Sequence, residues 1–237
     1  MKTIGLIGGM SWESTLEYYR TINEEMKNRL GGDHSAEVVI YSFDFHDIVD
    51  LQNQGRWEEL EQMMIEAGNG LKGAGADLLL ICANTMNRMA DDVEADVGLP
   101  LLHIGDATAE AVKDEEMKTV GLVGTRYVME GGFYRERLKE KHGIEVLIPA
   151  QGDRERVHEI IYEELCRGNV KESSKEDLLG MIRTLTERGA EGIVLGCTEL
   201  PLYITEKDID IPLFDTTRIH AKAAVDQALK DGEAEEV

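Results

Sequence analysis

A chain of 237 residues, 42% hydrophobic and 30% charged, is long enough for one large domain or two small ones without disulfides. Its formal net charge of −22 disfavours nucleic acid and anionic lipid as partners, because phosphate binding draws on clustered Lys and Arg, and neither is expected. No apolar run reaches membrane-spanning length, Met1–Met10 lacks a signal-peptide pattern, and three cysteines without paired spacing argue against a disulfide framework. A cytoplasmic protein with reduced thiols and a solvated acidic surface is expected.

Short β-rich apolar runs alternate with longer periodic segments, the pattern of parallel strands joined by crossover helices. A strand over Thr3–Ile7 leads through Gly8-Gly9-Met10-Ser11 into a helix over Ser14–Leu30, with Ser11 as its N-cap. Strands follow at Val38–Ser42, Leu78–Ile81 and Leu101–His103, with helices over Trp57–Lys72, Met86–Ala95 and Asp106–Lys113. The second half repeats the scheme. Its strands are Thr119–Val123, Glu145–Ile148, Gly192–Leu195 and Leu213–Phe214. Its helices are Phe133–His142, Arg154–Arg167, Lys175–Arg188 and Thr217–Leu229, and the acidic tail Asp231–Val237 is expected to fray.

The two halves are similar in sequence as well as in pattern. Gly75-Ala76-Asp77-Leu78-Leu79-Leu80-Ile81-Cys82-Ala83-Asn84-Thr85 lies over Gly189-Ala190-Glu191-Gly192-Ile193-Val194-Leu195-Gly196-Cys197-Thr198-Glu199 without a gap. Lys2–Gly8 matches Lys118–Gly124, and Leu99-Pro100-Leu101 matches Ile211-Pro212-Leu213. The expected fold is α/β, with two similar lobes of mostly parallel sheet related by a pseudo-two-fold and a site in the cleft between them. Residues 1–103 plus 213–237 would form the first lobe and 104–212 the second.

Ligands of parallel α/β sheets bind at the carboxyl ends of strands. The Gly8-Gly9 turn is suited to bringing backbone N–H groups to an anion, though no Gly-Lys-Ser/Thr follows to make a phosphate loop. Cys197 ends a strand and opens the next helix, where a helix dipole favours thiolate; the plain alternative is a half-buried small hydrophobe. In the repeat register Cys197 pairs with Ala83, and Cys82 pairs with Gly196. A one-residue step along a strand turns the side chain to the other face, so Cys82 is expected in the packing. Cys166 is read as either core or cleft lining. The six histidines show no metal-ligand spacing and no dinucleotide fingerprint follows a strand, so neither a metal nor a cofactor is expected.

Ile4–Thr15, Asn84-Thr85, Leu122-Val123-Gly124-Thr125-Arg126-Tyr127 and Gly196-Cys197-Thr198-Glu199 together resemble the cofactor-independent aspartate/glutamate racemases over essentially the full chain. Phe45-His46-Asp47-Ile48 and Gln52 resemble the branch of broad or L-selective amino-acid racemases within them. The resemblance implies a homodimer whose substrate is a small amino acid. It also implies chemistry by two thiols, one removing the α-proton and the other returning a proton to the opposite face. Inversion requires both, because a lone group returns the proton to the side it came from.

By the same resemblance Cys197 is the catalytic thiol, and Met10, Ser11, Gln52, Asn84, Thr85, Thr125, Thr198 and Glu199 bind the substrate. The plain alternative for Gln52 is an exposed loop position. The chain departs from the pattern where it matters. Ala83 occupies the first thiol's position, Asn87 that of a usual His, and Val49 and Cys166 those of an Arg and a Lys in strict aspartate racemases. Three functions compete: a one-sided amino-acid racemase, a single-thiol decarboxylase or isomerase of an acidic substrate, and a non-catalytic amino-acid-binding protein.

Overall fold

The computed structural model describes residues 1–169 and 171–230, so the acidic tail lies outside the described residues. Two parallel sheets carry the chain. Strands β1 (Ile4–Gly8), β2 (Val38–Ser42) and β3 (Leu78–Ile81) form the first, in the order β2-β1-β3. Strands β4 (Thr119–Gly124), β5 (Glu145–Leu147), β6 (Gly192–Gly196) and β7 (Leu213–Asp215) form the second, in the order β5-β4-β6-β7. The two orders are the same arrangement used twice. The expected strand at Leu101–His103 shrinks to a single bridge between Leu101 and Leu79, because a helix begins directly after it at Ile104.

The duplication extends to the hydrogen bonds that open each sheet. The Asp77 carboxylate accepts from Thr3 N–H at 2.7 Å, and the Glu191 carboxylate accepts from Lys118 and Thr119 N–H at 2.7 and 2.8 Å. β1, β3 and β6 are buried along their whole length, which is why they read as unbroken apolar runs rather than alternating ones.

Ten α-helices connect the described strands: α1 (Trp12–Leu30), α2 (Phe45–Asn53), α3 (Trp57–Gly73), α4 (Ala90–Val97), α5 (Ile104–Asp114), α6 (Arg126–Glu130), α7 (Gly132–His142), α8 (Gln151–Glu159), α9 (Glu172–Glu187) and α10 (Thr216–Leu229). Helix α2 is absent from the sequence reading. Two expected helices are subdivided. The one over Met86–Ala95 begins as a 3-10 turn at Thr85–Met89 before α4. The one over Arg154–Arg167 passes from α8 into a π-helical turn at Ile160–Glu164 and a 3-10 turn at Leu165–Arg167.

The described residues divide into one compact unit of residues 1–104 plus 220–230 and another within residues 105–219. The sequence division placed residues 213–219 in the first lobe. They belong to the second because β7 pairs with β6 along Ile193–Leu195. In the first unit the sheet is packed on both faces. One face holds Ile4, Leu6, Leu78, Leu80 and Cys82 against Tyr18, Ile22 and Met26 of α1 and Ala221, Ala224, Val225 and Ala228 of α10. The other holds Ile7, Leu79, Ile81 and Ala83 against α2, α3 and α4. Each fully buried Leu or Ile contributes ~1.5–3 kcal/mol.

His220 is sealed into the first of these faces. Its Nε2 donates to the Leu102 carbonyl at 2.7 Å, since a carbonyl only accepts, and its Nδ1 accepts from the Tyr18 hydroxyl at 2.8 Å. The neutral ring is thus satisfied at both nitrogens, and burial, with His103 nearby, holds its pKa down at about 3. The unfolded chain takes up this proton below about pH 6.5 while the folded chain waits until about 3. Stability therefore falls as pH drops through that window, by ~1.4 kcal/mol per unit. Urea unfolding at pH 7 and pH 5 is expected to show a loss of ~2 kcal/mol that His220→Gln does not share. Equal losses in the two proteins would refute this assignment.

Candidate active site

At the carboxyl end of the first sheet, the turn after β1 is closed on itself. Gly9 adopts φ +82°, and a Cβ there would meet the Phe43 backbone at 2.3 Å, so only glycine fits. The Gly9 N–H donates to Thr15 Oγ1 at 2.8 Å and the Gly8 carbonyl accepts from Phe43 N–H at 3.1 Å. The N–H of Gly9, expected to reach an anion, is thus spent on the turn itself. Ser11 caps α1 as expected, its hydroxyl accepting from Ser14 N–H at 3.3 Å.

The segment after β3 carries Ala83, Asn84 and Thr85, all buried. Asn87 fixes this turn. Its Nδ2 donates to the Ile81 and Ala83 carbonyls at 3.0 and 2.8 Å, and its Oδ1 accepts from Ile104 N–H at 3.0 Å. Asn87 is therefore a backbone clamp. Met10, Ala83, Met86 and Ile48 share one apolar cluster, and Gln52 Nε2 donates to Met86 Sδ at 3.4 Å. Gln52 is buried in α2, which overturns its alternative reading as an exposed loop position. The structure thus brings Met10, Gln52 and Ala83 together within the first unit. Cys82 points the other way, fully buried in the α1/α10 face, and burial drives its thiol pKa up. The one-residue register argument holds.

In the second unit β4 and β6 run side by side to a last rung at Gly124 and Gly196, which makes Thr125 and Cys197 neighbours in the structure. The Thr125 hydroxyl caps α6 by accepting from Val128 N–H at 3.3 Å. Cys197 is buried, and its Sγ–H donates to Glu199 Oε2 at 2.9 Å; Thr198 Oγ1–H donates to the same oxygen at 2.7 Å. Burial first, then the Glu199 charge and Cys166, raise the Cys197 pKa well above that of an ordinary thiol. This reverses the expectation of a helix-stabilised thiolate. Only a three-residue 3-10 turn, Leu200–Leu202, follows Cys197, too short to carry a useful dipole, and a carboxylate stands where the dipole was expected to act.

Side chains missed in the sequence join this cluster. Tyr162, on the π-helical turn, has its pKa raised by burial and by Cys197, Cys166, Tyr127 and Glu199 around it. π turns of this kind recur at functional sites. His158 packs on Tyr162 with ring centroids 4.7 Å apart and meets Tyr127 edge-on at 5.6 Å. Its Nδ1 accepts from Arg126 N–H at 3.3 Å, and burial followed by the Arg126 charge lowers its pKa. Cys166, half-buried on the adjoining 3-10 turn, belongs to the same neighbourhood. Among the described residues no group of His, Cys, Asp and Glu is arranged to hold a metal, and no helix is long and apolar enough to cross a membrane.

Comparison with known proteins gives this site its context. A Yersinia pestis protein assigned to the Asp/Glu racemases has a solved structure that superposes with a TM-score of 0.91 at 53% identity, covering 97% of this chain and 100% of that one. The broad-specificity amino-acid racemase of Bacillus subtilis is 22% identical over 94% of this chain and 96% of its own length. The glutamate racemase of Aquifex aeolicus is 28% identical over 70% of this chain, which spans 62% of that relative's length. The profile described as Asp/Glu/Hydantoin racemase matches residues 7–224, and the chain belongs to that family.

Proposed function

We propose that this protein is a cofactor-independent amino-acid racemase in which Cys197 removes the α-proton of an L-amino acid, aspartate and glutamate being within its range. The observation that carries this reading is the Cys197 thiol at the end of β6, hydrogen-bonded at 2.9 Å to Glu199 beside Thr198. Asn84, Thr85, Thr125 and Thr198 are read as the polar groups that hold the α-carboxylate and stabilise the carbanion as charge develops. Met10, Ser11 and Gln52 complete the binding set. The counterpart of Cys197 in the duplicated unit is Ala83, which carries no acid, and Cys82 is turned into the core behind it. Exchange of the α-proton should therefore outrun inversion, since a missing acid or base typically costs ~10²–10⁴ in rate. The homodimer implied by the family resemblance belongs to this reading. The exposed Trp12, Leu16 and Tyr19 of α1 and Ile40 and Tyr41 of β2 are the apolar surface it would cover.

The test is incubation with single L- or D-amino acids in D2O, followed by mass analysis of the α-position and chiral chromatography. Deuterium uptake from the L-enantiomer ahead of D-product is the expected result. Rapid racemisation in both directions would overturn the one-sided mechanism, and no exchange with any amino acid would overturn the racemase reading. One observation favours a second reading. A thiol held in its protonated form suits a proton donor, and a decarboxylase needs only that, because loss of CO2 itself creates the carbanion. CO2 release from malonate-type acids, without exchange of amino acids, would select it.

A further inference from the structure

One cation beside the thiol cluster has no carboxylate to answer it. We propose that Arg126 determines specificity at this site by engaging the side-chain carboxylate of a dicarboxylic amino acid. The inference rests on the racemase reading above and concerns the end of the substrate away from its α-carbon. Arg126 directly follows Thr125, and the last rung of β4 and β6, at Gly124 and Gly196, sets Thr125 beside Cys197. The Arg126 N–H donates to His158 Nδ1 at 3.3 Å, and His158 packs on Tyr162, whose surroundings include Cys197. Its root is thereby fixed to the wall of the cluster, while its side chain is exposed. Its charge is felt there: after burial, it is the next cause that lowers the His158 pKa.

Asp and Glu outnumber Lys and Arg by 47 to 25, so a cation in this chain has many carboxylates to choose from. Neighbouring arginines have taken theirs. Arg154 holds Glu130 at 2.8 Å, Arg156 holds Asp177 at 3.0 Å, and Arg167 holds Glu163 at 2.8 Å. Glu130 lies one turn along α6 from Arg126, a spacing at which helical side chains meet, yet its carboxylate faces Arg154. Among the described residues the Arg126 guanidinium forms no ion pair; its contact is the Tyr127 ring, with Cζ 5.7 Å from the centroid. An aromatic contact leaves the N–H donors of the planar fork available, and a carboxylate meets that fork with two parallel bonds. The field of the whole protein argues the same way. An anionic substrate is repelled by a net charge of −22 and needs a local cation where it docks, whereas a neutral side chain does not.

Arg126→Gln removes the charge from an exposed side chain, so the fold should persist, which a thermal melt checks. Deuterium uptake at the α-position, followed against concentration, gives kcat and KM for L-glutamate and L-aspartate and for their amides L-glutamine and L-asparagine. Each acid differs from its amide at the far end alone. The ratio of kcat/KM for acid over amide should fall ~10-fold in Arg126→Gln, through KM rather than kcat, as loss of a charge-assisted hydrogen bond to bound substrate requires. Arg126→Lys, which restores the charge without the fork, should recover part of the ratio. A ratio that does not move, whether both rates hold or both fall together, would overturn the proposal. Should the wild-type protein exchange no amino acid, the racemase reading fails by itself. Calorimetric titration with the same acids and amides then decides the role of Arg126 alone. A ~10-fold fall in the acid-over-amide affinity ratio in Arg126→Gln supports it. Acid binding that is absent in the wild type, or indifferent to the substitution, removes it.

Discussion

Cys197→Ala is expected to eliminate exchange of the α-proton, a loss of at least ~10²–10⁴ relative to the wild type. The expectation follows from counting the groups able to do the work. Cys82 is fully buried in the opposite face of its sheet, and that burial pushes its pKa up, away from the thiolate that the chemistry needs. Cys166 lies on a 3-10 turn rather than at a strand end. The measurement is deuterium uptake into an L-amino acid, with circular dichroism to show that the fold persists. Cys82→Ala is the control, expected to keep exchange while losing about 1 kcal/mol of stability. Exchange that survives Cys197→Ala would remove the thiol from the mechanism.

Ala83→Cys is expected to act in the other direction and raise inversion by ~10² or more. The duplication makes Ala83 the equivalent of Cys197, and the register of β3 keeps it on the face away from Cys82. On the proposed mechanism, a thiol there would supply the acid that inversion lacks. The added sulfur enters a buried position beside Met10 and Met86, where the adaptable methionine side chains can move to admit one atom. Initial rates from both enantiomers by chiral chromatography would show the gain, and a thermal melt would show its cost. Unchanged inversion in a folded Ala83→Cys protein would mean that this position does not address the second face of the substrate.

Much of this was legible in the sequence, for physical reasons that differ between elements. β1, β3 and β6 are buried on both faces, so their apolar runs announce themselves, and the repeat fixes which residue of Cys82-Ala83 matches Cys197. Helix α2 was not legible because it is short and buries only Ile48 and Gln52, too few positions to set a 3.6-residue period. The π turn carrying Tyr162 was hidden because it departs from an otherwise helical pattern by one backbone rung, which side-chain spacing does not encode. The state of Cys197 was misread for a different reason. Its neighbours in sequence suggested a helix N-terminus, whereas burial and a carboxylate two residues on decide where the proton sits.

The last helix has a consequence for how the protein is made. The core of the first unit is completed by Ala221, Ala224, Val225 and Ala228, and by the bond from His220 to the Leu102 carbonyl. All of residues 105–219 are synthesised between β3 and these residues. At ribosomal speeds that interval is on the order of ten seconds. During it Ile4, Leu6, Leu78 and Leu80 have α1 on one side and nothing yet to close the rest of their surface. The first unit therefore cannot complete its core until α10 has emerged, whereas every residue of the second unit, continuous in sequence, precedes that point.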